Sequence, residues 1–301
     1  MPLRRFRMLG GVLIAVLVTG LLPRTGGGAD ARDDVPVVAA ASDLQFAVAE
    51  IAEAFAAQSW RTGAGAGRSE GESAAASSEA RETAGGGGGG EGGMAVRLVM
   101  GSTGQFARQI RQGAPFELFM AADEQYVLDL HRDGFTRDAG DLYALGRIAM
   151  IVPSDAALGA DGTLESLRRA LAEGRIRRFA IANPDHAPYG QRAREALRHA
   201  GLWESIQPHL VLGENVSQAA QFALSGNAEG GLVAYSLALA PKLSARSAYE
   251  LIPADWHAPL RQRMVLLRGA GPVAKAFYAY LQSPSARKIL VRHGFVLPGE
   301  D

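Results

Sequence analysis

The stretch Val35-Pro36-Val37-Val38-Ala39-Ala40-Ala41-Ser42-Asp43-Leu44 decides how this chain reads. Val35–Ala41 is a short apolar run of the kind that forms a buried strand. Ser42 then opens a helical pattern that carries Leu44, Phe46, Val48, Ile51 and Phe55 on one side. Strand, small polar residue, helix: this is a βα unit with Ser42 near the helix N-cap.

Outward from this unit the same grammar repeats. Strands are expected at 96–100, 117–121, 148–152, 178–182, 210–212, 231–234 and 264–267. Helices are expected at 105–112, 124–132, 164–174, 191–200, 216–224, 272–281 and 285–293. Alternating strands and helices predict an α/β chain with mostly parallel, helix-covered sheets. Residues 58–93 differ in kind. They are almost wholly Gly, Ala, Ser, Glu and Thr, with six consecutive glycines at Gly85–Gly90. Such a composition buries too little apolar area to offset its chain entropy, so a disordered, low-complexity surface insertion is expected there.

The first residues read as an address. Arg4, Arg5 and Arg7 precede an apolar run from Met8 to Leu22, and Ala29-Asp30-Ala31 supplies an A-x-A cleavage pattern. This is the layout of a secretory signal peptide, with cleavage expected after Ala31. The apolar run falls short of the roughly 20 residues that span a bilayer. The whole chain of 301 residues balances 31 Lys+Arg against 31 Asp+Glu. Without residues 1–31 it carries 27 basic and 30 acidic residues, a net charge of −3. That balance argues against general nucleic-acid binding, which needs a basic excess to neutralise phosphates. With no cysteine, disulfides, thiolate metal sites and cysteine nucleophiles are excluded.

Three places share one physical signature: an apolar strand ends, a polar donor appears and a helix begins. They are Ala41-Ser42-Asp43, Gly101-Ser102-Thr103-Gly104 and the Asn183–Gly190 turn (NPDHAPYG). A helix N-terminus presents free backbone N–H groups and the positive end of the helix dipole. A hydroxyl added there completes an oxyanion site that needs no lysine or arginine. In open α/β sheets, ligands sit beyond the carboxyl ends of strands, where these turns fall. Taken singly, such a serine or threonine is usually only a cap.

An enzyme would need more. Ser42 or Ser102 as nucleophile calls for a base such as His186 and an orienting acid such as Asp185 or Asp43, yet no G-x-S-x-G elbow precedes a helix. The histidines lack any close metal-ligand spacing, and the GSTG turn lacks the G-K-[ST] of a P-loop. No catalytic residue, direct metal-cation ligand or cofactor is expected.

Several longer strings now matter together: AAASDL at 39–44, GSTGQFARQI at 101–110, GAPFELFMAAD at 113–123, NPDHAPYGQRAREAL at 183–197, GENVSQA at 213–219 and KAFYAYLQSPSARKILVRHGF at 275–295. In this order they resemble the periplasmic molybdate-binding proteins of ABC importers, over about Val35–Pro298 and interrupted only by the insertion. The resemblance implies a two-lobe type II periplasmic binding fold with the ligand cleft between the lobes. Lobe one is expected at 32–145 plus 260–301 and lobe two at 146–259. It further implies capture of molybdate, and of tungstate, for a membrane permease by a monomer in the periplasm. Another tetrahedral oxyanion such as sulfate, or a secreted serine hydrolase, are the alternatives. Carried onto matching positions, the oxyanion ligands are Ser42, the Asp43 backbone, Thr103, Tyr189 and Val216. Tyr189 is preferred to Tyr235, which stands one place beyond the strand position where some relatives carry a tyrosine. A carboxylate beside a dianion repels it, so the Asp43 side chain is expected to point outward or to cap the helix.

Overall fold

The computed structural model describes residues 35–65 and 94–300. The expected signal segment 1–31 and most of the low-complexity stretch, 66–93, lie outside the described residues. The strands are β1 (Val37–Ala41), β2 (Arg97–Gly101), β3 (Leu118–Ala121), β4 (Asp141–Gly146), β5 (Ile148–Pro153), β6 (Phe179–Ala182), β7 (Leu210–Gly213), β8 (Gly231–Ala234), β9 (Ser247–Leu251) and β10 (Leu260–Leu266). The helices are α1 (Gln45–Gly65), α2 (Thr103–Arg111), α3 (Glu124–Arg132), α4 (Glu165–Ala172), α5 (Pro188–His199) and α6 (Trp203–Ile206). They continue with α7 (Val216–Leu224), α8 (Tyr235–Ala238), α9 (Pro241–Ser244), α10 (Pro272–Leu281) and α11 (Pro284–Arg292). Helix α1 runs on to Gly65, so the opening residues of the low-complexity stretch are helical backbone, not loop.

The strands form two sheets, ordered β2-β1-β3-β10-β4 and β7-β6-β8-β5-β9. In the first, buried β1 is the hub. Val38 and Ala40 face a core shared with Leu44, Val48, Ile51 and Phe55, while Ala39 faces one shared with Phe106, Ile110, Val127 and Leu130. This period-two alternation explains why β1 is apolar throughout: helices cover both of its faces. The second sheet surrounds a core that includes Ile151, Phe179, Ile181, Leu197 and Val233.

The expected predominance of parallel pairing is corrected. β1 pairs in parallel with β2 and β3, and β6 with β7 and β8. β10 runs antiparallel to β3 and β4, and β5 antiparallel to β8 and β9. The cause is the way the chain changes sheets. β4 and β5 are separated by Arg147 alone yet belong to different sheets, and the chain returns from β9 to β10. Strands that enter or leave at these crossings run against the βαβ units they border. β4 and β9 themselves were not anticipated, because DLYALG and SAYEL mix polar and apolar residues without a long apolar run.

β10 also starts earlier than its apolar end suggests, at Leu260. Its ladder with β4 slips between Gln262 and Arg263: Gln262 pairs with Ala144 and Arg263 with Leu142, so Tyr143 is the extra residue of a β-bulge. The bulge places Gln262 and Tyr143 together in the interior, with Tyr143 Oη donating to Gln262 Oε1 at 2.8 Å.

Helix α5 packs against the end of β6 so closely that a Cβ at Gly190 would meet Ala182 O at 2.1 Å. Gly190→Ala is therefore expected to lower stability by about 1–3 kcal/mol through overpacking. Urea unfolding would show this as a lower midpoint with an unchanged slope.

Candidate functional site at the strand ends

Four turns meet in one small cavity. β1 delivers Ser42 and Asp43, β2 delivers Ser102 and Thr103, the turn after β6 delivers Ala187–Tyr189, and the turn after β7 delivers Asn215 and Val216. The open space there is only about 10 Å³, roughly that of one water molecule and far below the roughly 300–1,000 Å³ of drug-sized ligand sites. Among the described residues, no lysine, arginine or histidine lines it. All five predicted site residues are buried and share this cavity.

The first turn departs from expectation. Ser42–Leu44 is a 3₁₀ turn capped by Ala41, so Ser42 lies inside the turn and is not the N-cap. Ser42 Oγ accepts a long bond from Ser217 N–H at 3.4 Å, and its own proton has no acceptor among the described residues. The second turn starts α2 at Thr103, whose Oγ1 accepts the Ala122 N–H at 3.0 Å. The Thr103 proton likewise has no acceptor among the described residues. α7 begins at Val216 behind Asn215, whose side chain accepts the Gln218 N–H at 3.1 Å. Of the first-turn N–H groups, that of Gly104 is taken by His186 O, that of Ser217 by Ser42 Oγ and that of Gln218 by Asn215, while those of Thr103 and Val216 have no partner among the described residues.

The Asp43 side chain corrects the expectation of an outward carboxylate. It is 1% exposed and turned into the space between the sheets. Oδ2 accepts from Tyr189 Oη at 3.0 Å and from Gln262 Nε2 at 2.6 Å, while Oδ1 is buried without a hydrogen-bond partner among the described residues. The 3₁₀ turn and the β10 bulge together create this arrangement, since they aim an acid and an amide at one point. The hydroxyl of Tyr189, expected on a bound oxyanion, gives its proton to Asp43 here. Burial raises the Asp43 pKa from 3.8 to about 6, against weaker lowering by Gln262, Tyr189 and the Asp43 and Leu44 amides. Burial and the neighbouring Asp43 push Tyr189 and Tyr143 well above the ordinary tyrosine range. Gln262 and Tyr143 were missed from sequence, and the one available signal was a glutamine in phase with Leu260 and Met264.

Tethers close the space around the cavity. Gly104 N–H donates to His186 O at 3.0 Å, and Ser102 Oγ donates to the same carbonyl at 2.7 Å. Ser102 Oγ also lies 3.0 Å from His186 Nδ1, while His186 Nε2 sits 3.7 Å from Glu214 Oε2. The sequence pairing of Ser102 with His186 is thus present in space, but the serine proton is spent on a carbonyl. Ser217 Oγ reaches Ser42 O at 2.9 Å, Ser236 Oγ reaches Asp43 O at 2.8 Å, and Arg192 pairs with Asp123 at 2.8 Å. At Gly104 there is no room for a side chain, since a Cβ would lie 2.5 Å from His186 O. Tyr235 opens α8 and packs edge-on against Tyr249 at 6.0 Å, outside the cavity wall.

A small, donor-lined cavity between two α/β sheets linked by chain crossings defines a solute-binding protein. The family model of bacterial extracellular solute-binding proteins matches residues 36–296, and the chain belongs to this family. It is 34% identical over 207 residues to the molybdate-binding protein ModA of Rhodobacter capsulatus, covering 68% of this chain and 78% of that protein. With ModA of Escherichia coli K12 it shares 32% identity over 212 residues, covering 69% and 80%. The structure of the periplasmic molybdate-binding protein of Azotobacter vinelandii superposes with a TM-score of 0.69 at 26% identity, covering 88% of this chain and 100% of that one.

Asp43 carries a stability prediction whose sign follows from linkage. A carboxyl with a raised native pKa binds its proton more tightly when folded, so stability falls as pH rises from 3.8 to about 6. Above that window the buried charge costs about 3 kcal/mol. Asp43→Asn is expected to be more stable than the parent near neutral pH by up to this amount, with the gain vanishing toward pH 4. Denaturant unfolding across that range checks it. A carbonyl-tethered Gly104 gives a second expectation: Gly104→Ala holds the two halves ajar, which small-angle scattering reads as a larger radius of gyration.

Proposed function

We propose that this chain captures molybdate between its two sheets and presents it to the membrane permease of an ABC importer. The observation that supports this most is the convergence of strand-to-helix turns on one small cavity rich in donors and free of cationic side chains. The relatives named above as molybdate-binding proteins supply the choice of anion. In this reading the Ser42 and Thr103 hydroxyls donate to the oxyanion, and backbone N–H groups of Ser42, Asp43, Thr103, Tyr189 and Val216 complete its shell. The Tyr189 side chain serves the site indirectly, by holding Asp43.

Hydrogen bonds to a charged acceptor contribute about 1.5–3 kcal/mol each, so several offset the desolvation of a dianion without a fixed positive charge. Tungstate presents the same acceptors and is bound as well. The smaller sulfate makes poorer contact with the same donors. Residues 1–31 direct export, which puts capture in the periplasm, by a monomer of two lobes, 32–145 with 260–301 and 146–259, that close on the ligand by a hinge motion.

Isothermal titration with molybdate, tungstate, sulfate and phosphate tests the reading. Micromolar or tighter binding of molybdate and tungstate is expected, with sulfate and phosphate far weaker; absence of molybdate binding overturns it. Thr103→Val keeps the shape and removes one donor together with the acceptor of the Ala122 N–H, and is expected to weaken molybdate binding by about 1–3 kcal/mol.

A further inference from the structure

The reading above leaves one feature unused. Asp43 lines the cavity, is buried, and has an oxygen, Oδ1, without a hydrogen-bond partner among the described residues. Buried polar atoms in folded proteins are almost always satisfied, and an exception calls for an explanation. Its other oxygen already takes both side-chain donors within reach, Tyr189 Oη and Gln262 Nε2. An ionised carboxylate is an acceptor only, and so are all the oxygens of a fully deprotonated oxyanion. Two acceptors brought together in so small a space would repel, and a single proton between them would turn the clash into a hydrogen bond.

We propose that molybdate capture is proton-linked: one proton from solvent settles on Asp43 Oδ1 as the anion enters, and Asp43 becomes a donor to it. This inference rests on the oxyanion reading and adds the protonation state of the loaded site. The groups packed around Asp43 support it. From α5 comes Tyr189, from β4 Tyr143, from β10 Gln262, and from α8 Ser236, which bonds the Asp43 carbonyl. Both tyrosines are held well above their ordinary range by burial, so neither supplies nor takes the proton near neutral pH. No arginine, lysine or histidine is paired with Asp43 among the described residues, so no fixed cation competes with the proton. The carboxyl is already displaced upward by burial, to about 6, before any anion arrives. The arrangement of Tyr189 and Gln262 on Oδ2 fixes which oxygen remains for the proton.

The test is titration of the full protein with sodium molybdate in Tris and in HEPES, which differ in ionisation heat. Near pH 8 the wild type is expected to take up close to one proton per anion, and its apparent Kd to rise about tenfold per pH unit above the carboxyl's own titration. In Asp43→Asn the amide donates permanently while its oxygen still accepts from Tyr189 and Gln262. That variant is expected to take up no proton and to show a flat pH profile. Infrared difference spectra of the wild type provide a measurement independent of any variant: a carboxylic-acid C=O band is expected on adding molybdate. Binding heat that is the same in both buffers, with no such band, overturns the proposal and leaves molybdate binding intact. Proton uptake that persists in Asp43→Asn overturns it too. A chain that binds none of the tetrahedral anions overturns the oxyanion reading and this inference with it.

Discussion

One carboxylate organises the centre of this molecule. Asp43 comes from just beyond the end of β1 in the first sheet, and its Oδ2 is held by a tyrosine from α5 and an amide from β10. The three residues are far apart in sequence, and the contact exists only when both sheets and the β10 crossing are in place. Removing a buried acid from water is costly, and two hydrogen bonds on one oxygen recover only part of that cost. The geometry is therefore specific: the acid tolerates burial at this place because Tyr189 and Gln262 arrive there together.

The same acid sets the electrostatic problem that the cavity solves. Two unit charges about 4 Å apart near a protein surface interact by about 4 kcal/mol. Hydrogen bonds to a charged acceptor return about 1.5–3 kcal/mol each. An ionised Asp43 would thus cancel the benefit of two or more donors in a site that has no lysine or arginine to help. Hydroxyls and helix N-termini suffice for a dianion only if the neighbouring acid is neutralised or screened, and among the described residues the cavity walls offer no screening cation.

Much of the fold was legible because local signals were strong. Helices α3, α7 and α10 match their expected spans residue for residue, and so does β8. The turns at 42–43, 102–103 and 187–189, singled out as strand ends followed by a polar donor and a helix, share one cavity with the turn at 215–216, to which only the resemblance pointed. What escaped is non-local. Antiparallel pairing of β5 and β10 depends on where the chain changes sheets, and no residue pattern within either strand encodes it. The Gln262–Tyr143 bulge escaped because polar LRQR resembles loop sequence until Gln262 is seen to be buried. The direction of Asp43 escaped because a 3₁₀ turn and an α-helical first turn share sequence preferences but aim side chains differently.

Arg147 is the whole of the connection between β4 and β5, so the two sheets are continuous through a single residue. A longer link would let the halves slide or swivel in many directions. A one-residue link leaves two backbone torsions on that side, and the return strand constrains the rest. Any opening of the cavity is then channelled into a narrow family of rotations about a fixed axis near the crossings. Small turns about such an axis would displace the far rim most and the residues beside the crossings least.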